Sequence, residues 1–187
     1  MRDLPTQRHA PVRWPPTVQL LHWLGLLLVT ATAVIGLVMV DLERGSELRK
    51  LCYGLHKSLG VTALALAAMR LVVRMVSRSP APMDGPSWQQ SAARASHALM
   101  YLVLLALPLS GWLLNSVAGQ PLPWFGLFQL PALAARNPAL RQLVDTVHVG
   151  LFWALVALVA LHLTAVLQHQ LWHRDRLLQR MLPWPRR

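Results

Sequence analysis

Four stretches of this chain are long and apolar enough to cross a lipid bilayer, and nothing else in the sequence constrains the fold as strongly. They run over about 18–40, 53–76, 92–114 and 144–169. A spanning helix needs roughly 20 mostly apolar residues. In hydrocarbon, every backbone N–H and C=O must be paired inside the segment, so such stretches must be helical. The first contains no Lys, Arg, Asp or Glu. It is longer than the apolar core of a secretory signal, about 7–15 residues, and it carries His22 and Trp23, so it is expected to be retained. The expected fold class is all-α, an integral membrane four-helix bundle, with 1–187 as a single domain.

The connections differ in character. Residues 41–52 read as a short polar turn. Residues 77–91, rich in Pro, Gly and Ser, read as irregular. Residues 115–142 form the longest connection, where Trp124, Phe125 and Phe128 suit a membrane interface. Asn137-Pro138 then precedes a short amphipathic stretch that leads into the last helix. Pro108 lies inside the third helix and is expected to bend it. No internal repeat is evident. Cys52 is the only cysteine, which excludes a disulfide scaffold, an iron–sulfur cluster and a Cys-based zinc site. The absence of a C-x-x-C-H motif argues against covalently attached haem.

The net charge is +11. Such a balance usually points to nucleic acid, but charged residues make up only 13%, against about 25% in soluble domains, and they sit between the apolar blocks. Lipid, and not nucleic acid, is the expected surroundings. Twelve arginines fall at the two termini and around the second connection, against six basic residues at the opposite ends of the helices. The positive-inside rule then puts both termini in the cytoplasm.

Eight histidines are present. His9 and His173 lie outside the apolar blocks. The others sort by depth once helix direction is followed. His56 and His148 fall at an outer level; His22, His97 and His162 fall at an inner one; His169 lies deeper still. His148 and His162 are fourteen residues apart on the fourth helix. At 3.6 residues per turn they share one face, with Cα atoms about 21 Å apart. One helix therefore offers an imidazole at each of two depths. Iron in haem, held by two axial imidazoles, suits such levels. Zinc asks for about four ligands, and a proton relay would use acids that the apolar blocks lack. Depth alone leaves all three inner histidines as candidate ligands. Gly54, Gly60 and Gly150 lie beside the outer histidines, and Ala160 and Ala165 beside His162, where small residues would let a flat macrocycle approach.

LLHWL at 20–24, GLHKSLG at 54–60, RLVVR at 70–74, SHALMYLVLLALPLSGW at 96–112 and VHVGLFWALVALVALH at 147–162 together resemble the bacterial cytochrome b561 family. The ordered set spans nearly the whole chain. The resemblance implies a small four-helix cytochrome of the bacterial inner membrane with two haem b groups. It implies His22 paired with His162 and His56 paired with His148 as axial ligands of the iron. It makes His97 a non-ligand near the inner haem or quinone pocket, and His169 similar to the family's quinone-site histidine. Arg70 and Arg74, one turn apart, are candidates to hold haem propionates, the alternative being contact with lipid phosphates. Lys57, Arg49, Lys50, Arg136 and Arg141 would make the outer face positive and attractive to an anion.

Two functions follow as expectations. One is electron transfer across the membrane to or from ubiquinone, with superoxide oxidised at the periplasmic face. The other is a haem-bearing subunit without its own substrate, docking a dehydrogenase or periplasmic redox protein through 115–142. A third class, a transport or metal-handling protein using the histidines directly, would be colourless.

Overall fold

The computed structural model describes residues 13–81, 86–173 and 177–182. Arg2, Arg8, His9, Arg174, Arg176, Arg186 and Arg187 lie outside the described residues.

Four long helices carry the apolar blocks: α1 (Pro16–Asp41), α2 (Glu47–Val76), α3 (Ser87–Val117) and α4 (Pro138–Gln168). Three of them begin at a local start signal. Pro16 opens α1, because its fixed φ suits the first helical turn and its missing N–H is not needed there. Ser46 caps α2 by accepting from the Arg49 amide at 3.2 Å. Asn137 caps α4 by accepting from the amides of Ala139 and Leu140. The expected polar turn 41–52 is thus corrected: from Glu47 onward it is helix. Likewise 87–91 are helical rather than irregular, and α4 is continuous from Pro138. Apolarity marks where lipid contact begins, whereas local signals mark where the helix begins, and in α2, α3 and α4 the two differ by about one and a half turns.

Helix α1 packs on α2, α2 on α3, and α3 on α4. Many large apolar side chains face outward, Leu20, Leu27, Val72, Leu102 and Leu161 among them. In lipid this is the expected arrangement, since tails are as apolar as leucine and helices associate through close packing instead. Along α4 the inward positions recur as Val144, His148, Leu151, Phe152, Leu155, Leu158, Val159 and His162. This is one helical stripe.

The connection from α3 to α4 holds the only strands among the described residues. β1 (Leu122–Trp124) pairs antiparallel with β2 (Phe128–Leu130). The tight turn between them puts Phe125 and Gly126 at positive φ, 48° and 75°. This hairpin is fastened to α2. Buried Ser58 accepts from the Phe125 amide at 2.9 Å and shares its proton between the Gly54 carbonyl of its own helix at 3.0 Å and the Pro123 carbonyl at 3.3 Å, and Trp124 Nε1 donates to Thr62 Oγ1 at 3.0 Å. Trp112 Nε1 of α3 donates to the Pro131 carbonyl.

At the opposite end, α4 passes into a π-helical turn, His169–His173, and a 3₁₀ turn, Leu177–Arg180. The latter returns to the start of α1. Trp14 N donates to Arg180 O, Trp23 Nε1 donates to Met181 O at 2.8 Å, and Arg13 donates to the carbonyls of Gln179 and Leu182. The bundle therefore has a hairpin end and a terminal end.

Candidate functional site

At the hairpin end the helices part around a cavity of about 730 Å³. All four helices contribute to its walls, and His56 of α2 and His148 of α4 both line it. Their ring centroids are 6.4 Å apart with planes nearly perpendicular, at 86°.

Each of these rings is held by the helix that neighbours its own, in the same manner. His56 Nδ1 lies 3.0 Å from the Thr32 carbonyl of α1. His148 Nδ1 lies 3.2 Å from the Leu107 carbonyl of α3. A carbonyl can only accept, so Nδ1 carries the proton in both rings and Nε2 keeps its lone pair. Four residues beyond each carbonyl stands a glycine. A Cβ on Gly36 would meet His56 Cε1 at 2.8 Å, and one on Gly111 would meet His148 Cε1 at 3.1 Å. The glycines that seat the two rings are therefore on the facing helices. Gly54, Gly60 and Gly150, which stand beside the histidines in sequence, face open space: a Cβ on any of them would meet nothing within 4 Å. A carbonyl and a glycine one turn apart make no recognisable motif, because their role appears only when another helix supplies the ring.

At the terminal end, His97 and His162 make a ring contact, centroids 5.7 Å apart. His22 Nδ1 is 2.7 Å from Arg70 Nη2, and its ring packs edge-on against Trp23. His97 itself is exposed. His169 closes α4 as the first residue of the π turn, on the same inward stripe as His162. Among the described residues no three His, Cys, Asp or Glu side chains converge as a metal-ion site.

The two arginines divide. Arg70 turns inward, onto His22 and over the Tyr101 ring, and its Nε is buried with no hydrogen-bond partner. An orphaned guanidinium N–H is costly unless an acceptor arrives. Arg74 stacks over Trp14 at 4.4 Å. The cations of the hairpin end also separate. Lys50 pairs with Glu47, and Arg49 bonds the Leu42 carbonyl. Arg136 folds over Gly119 in an adjoining groove. Lys57, Arg141 and Asp145 line the histidine cavity itself, and Lys57 Nζ reaches Gln120 Oε1 at 3.4 Å.

A family profile described as "Prokaryotic cytochrome b561" matches residues 13–184. The chain belongs to the prokaryotic cytochrome b561 family. It is 32% identical over 175 residues to "Cytochrome b561 homolog 2" of Escherichia coli strain K12, covering 93% of each chain. It is 29% identical to "Cytochrome b561 homolog 1" of the same organism, covering 91% of this chain and 97% of that one. It is also 29% identical to "Probable superoxide oxidase CybB" of Yersinia pestis, over 87% of this chain and 92% of the relative.

This cytochrome is accordingly a bacterial membrane protein of electron transport carrying b-type haem. The cavity at the hairpin end fits that group. Two metal–nitrogen bonds of about 2 Å each, with the two ring radii, need roughly 6 Å between centroids, close to the observed 6.4 Å. Both rings have their Nδ1 protons engaged, which leaves Nε2 able to bind metal. The walls are mostly apolar, and Lys57 and Arg141 supply positive charge for carboxylates.

Proposed function

We propose that this cytochrome holds two haem b groups, one between His56 and His148 and one between His22 and His162, and moves electrons across the membrane between its hairpin face and ubiquinone. The observation that carries this reading is the opposed imidazole pair across the hairpin-end cavity, with a second imidazole offered at another depth by α4. When bound, haem supplies one-electron carriage; the remaining work belongs to the side chains. His148 and His162, on one face of α4, set the two levels. Arg70 offers its unpartnered Nε–H to a propionate at the terminal end, and Arg74 adds charge there. His97, in ring contact with His162, is not a ligand. His169, inward at the end of α4, gives a proton to a quinone carbonyl.

The hairpin face is periplasmic and both termini are cytoplasmic, following the excess of arginine at the terminal end. Superoxide is the electron source that best suits the hairpin face. Lys57 and Arg141 draw an anion toward the cavity, and one named relative is a probable superoxide oxidase. The balance is simple: two superoxide anions lose one electron each and leave as dioxygen, while one ubiquinone gains two electrons and two protons to become ubiquinol.

The test is direct. Purified oxidised protein is mixed with superoxide, first alone and then with a soluble ubiquinone. Rapid growth of sharp reduced α and Soret bands, followed by reoxidation on quinone addition, is the expected result. Absence of reduction by superoxide, with reduction only by a co-purifying protein, would favour the docking-subunit reading. A colourless preparation would defeat both.

A further inference from the structure

The two hairpin-end histidines are held alike except at one position. Each ring donates Nδ1–H to a carbonyl, Thr32 or Leu107, and rests on the glycine four residues later, Gly36 or Gly111. Immediately before the glycine, α1 has Ile35 and α3 has Ser110. Isoleucine has no polar atom to offer. Ser110 Oγ lies 2.9 Å from His148 Nδ1, nearer than the Leu107 carbonyl, and donates its own proton to that carbonyl at 2.7 Å. Serines in helices commonly bond back to their own helix and do nothing more. Ser110 is different because that back-bond occupies its proton and turns a lone pair on His148. It is buried, so water does not compete for the contact.

From this asymmetry we infer that Ser110 is a positioning residue for His148, making it the more electron-donating of the two hairpin-end ligands and lowering the reduction potential of the haem they hold. The inference rests on His56 and His148 being that haem's axial pair. The physical route is a chain of hydrogen bonds, Nδ1–H to Oγ and Oγ–H to the Leu107 carbonyl, in which each bond polarises the next. A second acceptor on Nδ1–H draws the proton away from the ring. Electron density rises at Nε2, and the ferric state gains more from it than the ferrous. His56, with a single acceptor, lacks this push.

Holoprotein is titrated potentiometrically, following both haems by their α bands. The haem missing from a His56→Ala variant identifies the hairpin-end component. Two pairs are compared: wild type with Ser110→Ala, and Ser110→Thr with Ser110→Val. The second pair is nearly isosteric and differs in the hydroxyl. At the wild-type midpoint of the hairpin-end haem, loss of the hydroxyl is expected to raise the reduced-to-oxidised ratio by about threefold to tenfold, tenfold being about 59 mV for one electron. The terminal-end haem should titrate as before, and Thr should match Ser within about twofold. Unchanged potentials in both Ala and Val variants would overturn the proposal. So would equal shifts of both haems, which mean general loosening. A His56→Ala variant that keeps its full haem content would instead defeat the assignment of the axial pair, a separate outcome.

Discussion

At the scale of single residues, glycines separate by what faces them. An alanine in a helix interior is normally more stable than glycine by about 0.5–1 kcal/mol. Gly54→Ala and Gly150→Ala should follow that rule, since a Cβ there meets nothing within 4 Å. Gly36→Ala and Gly111→Ala should behave oppositely, because the new Cβ would press on His56 or His148. Haem-to-protein ratios after purification are expected to be unchanged in the first two, with hairpin-end occupancy at least halved in the others. The histidines give a second expectation. His56→Ala or His148→Ala should remove one haem and leave the other, His22→Ala or His162→Ala should do the converse, and His97→Ala should keep both. Equal loss in every variant would contradict two separate levels. Both expectations are read by absorbance against protein concentration.

At the scale of elements, the hairpin β1–β2, whose Leu122 lines the histidine cavity, is held by few bonds. A two-stranded hairpin is marginal by itself, so its place depends on α2. Ser58 bonds both the Pro123 carbonyl and the Phe125 amide, while Phe125, Leu127 and Phe128 project outward at the tip. Ser58→Ala leaves the Phe125 amide unpaired and is expected to cost about 1–3 kcal/mol. Hydrogen exchange should quicken across 122–130 and stay slow in α2 and α3; uniform protection as in wild type would show that Ser58 does not hold the hairpin. The helix starts are similar. Asn137 is the cap of α4, and Asn137→Ala should cost about 1 kcal/mol, lowering the midpoint of thermal unfolding in detergent.

At the scale of the molecule, charge and membrane set direction. If the hairpin face meets superoxide, its reaction should slow as salt rises, because exposed charges are screened within about 10 Å at 0.1 M. Lys57→Gln removes a cation from the cavity wall and is expected to lower the second-order rate about threefold to tenfold at low salt, with a smaller effect at high salt. A rate independent of both salt and Lys57 would exclude electrostatic attraction at this face. Orientation is tested with an affinity tag on the C-terminus, which proteases should reach in inside-out vesicles and not in intact spheroplasts. The terminal end is also tied together: Met181, just after the 3₁₀ turn, holds Trp23, whose ring touches His22.

Hydropathy alone determined that four helices cross a membrane, because lipid admits no unpaired backbone and roughly 20 apolar residues have no other use in a chain this short. Helical periodicity placed His148 and His162 on one face of α4, since that is a property of a single helix. What lay beyond reach were features made by two elements at once. Gly36 and Gly111 matter through rings on other helices. The hairpin 122–130 had no alternating pattern to announce it and exists by bonding to α2. Arg70 could be read equally as facing lipid phosphate or the interior, and only packing turned it onto His22. Spacing along one chain sets angles and depths, whereas the approach of one helix to another is decided by side chains far apart in sequence, and it is that approach which makes the site.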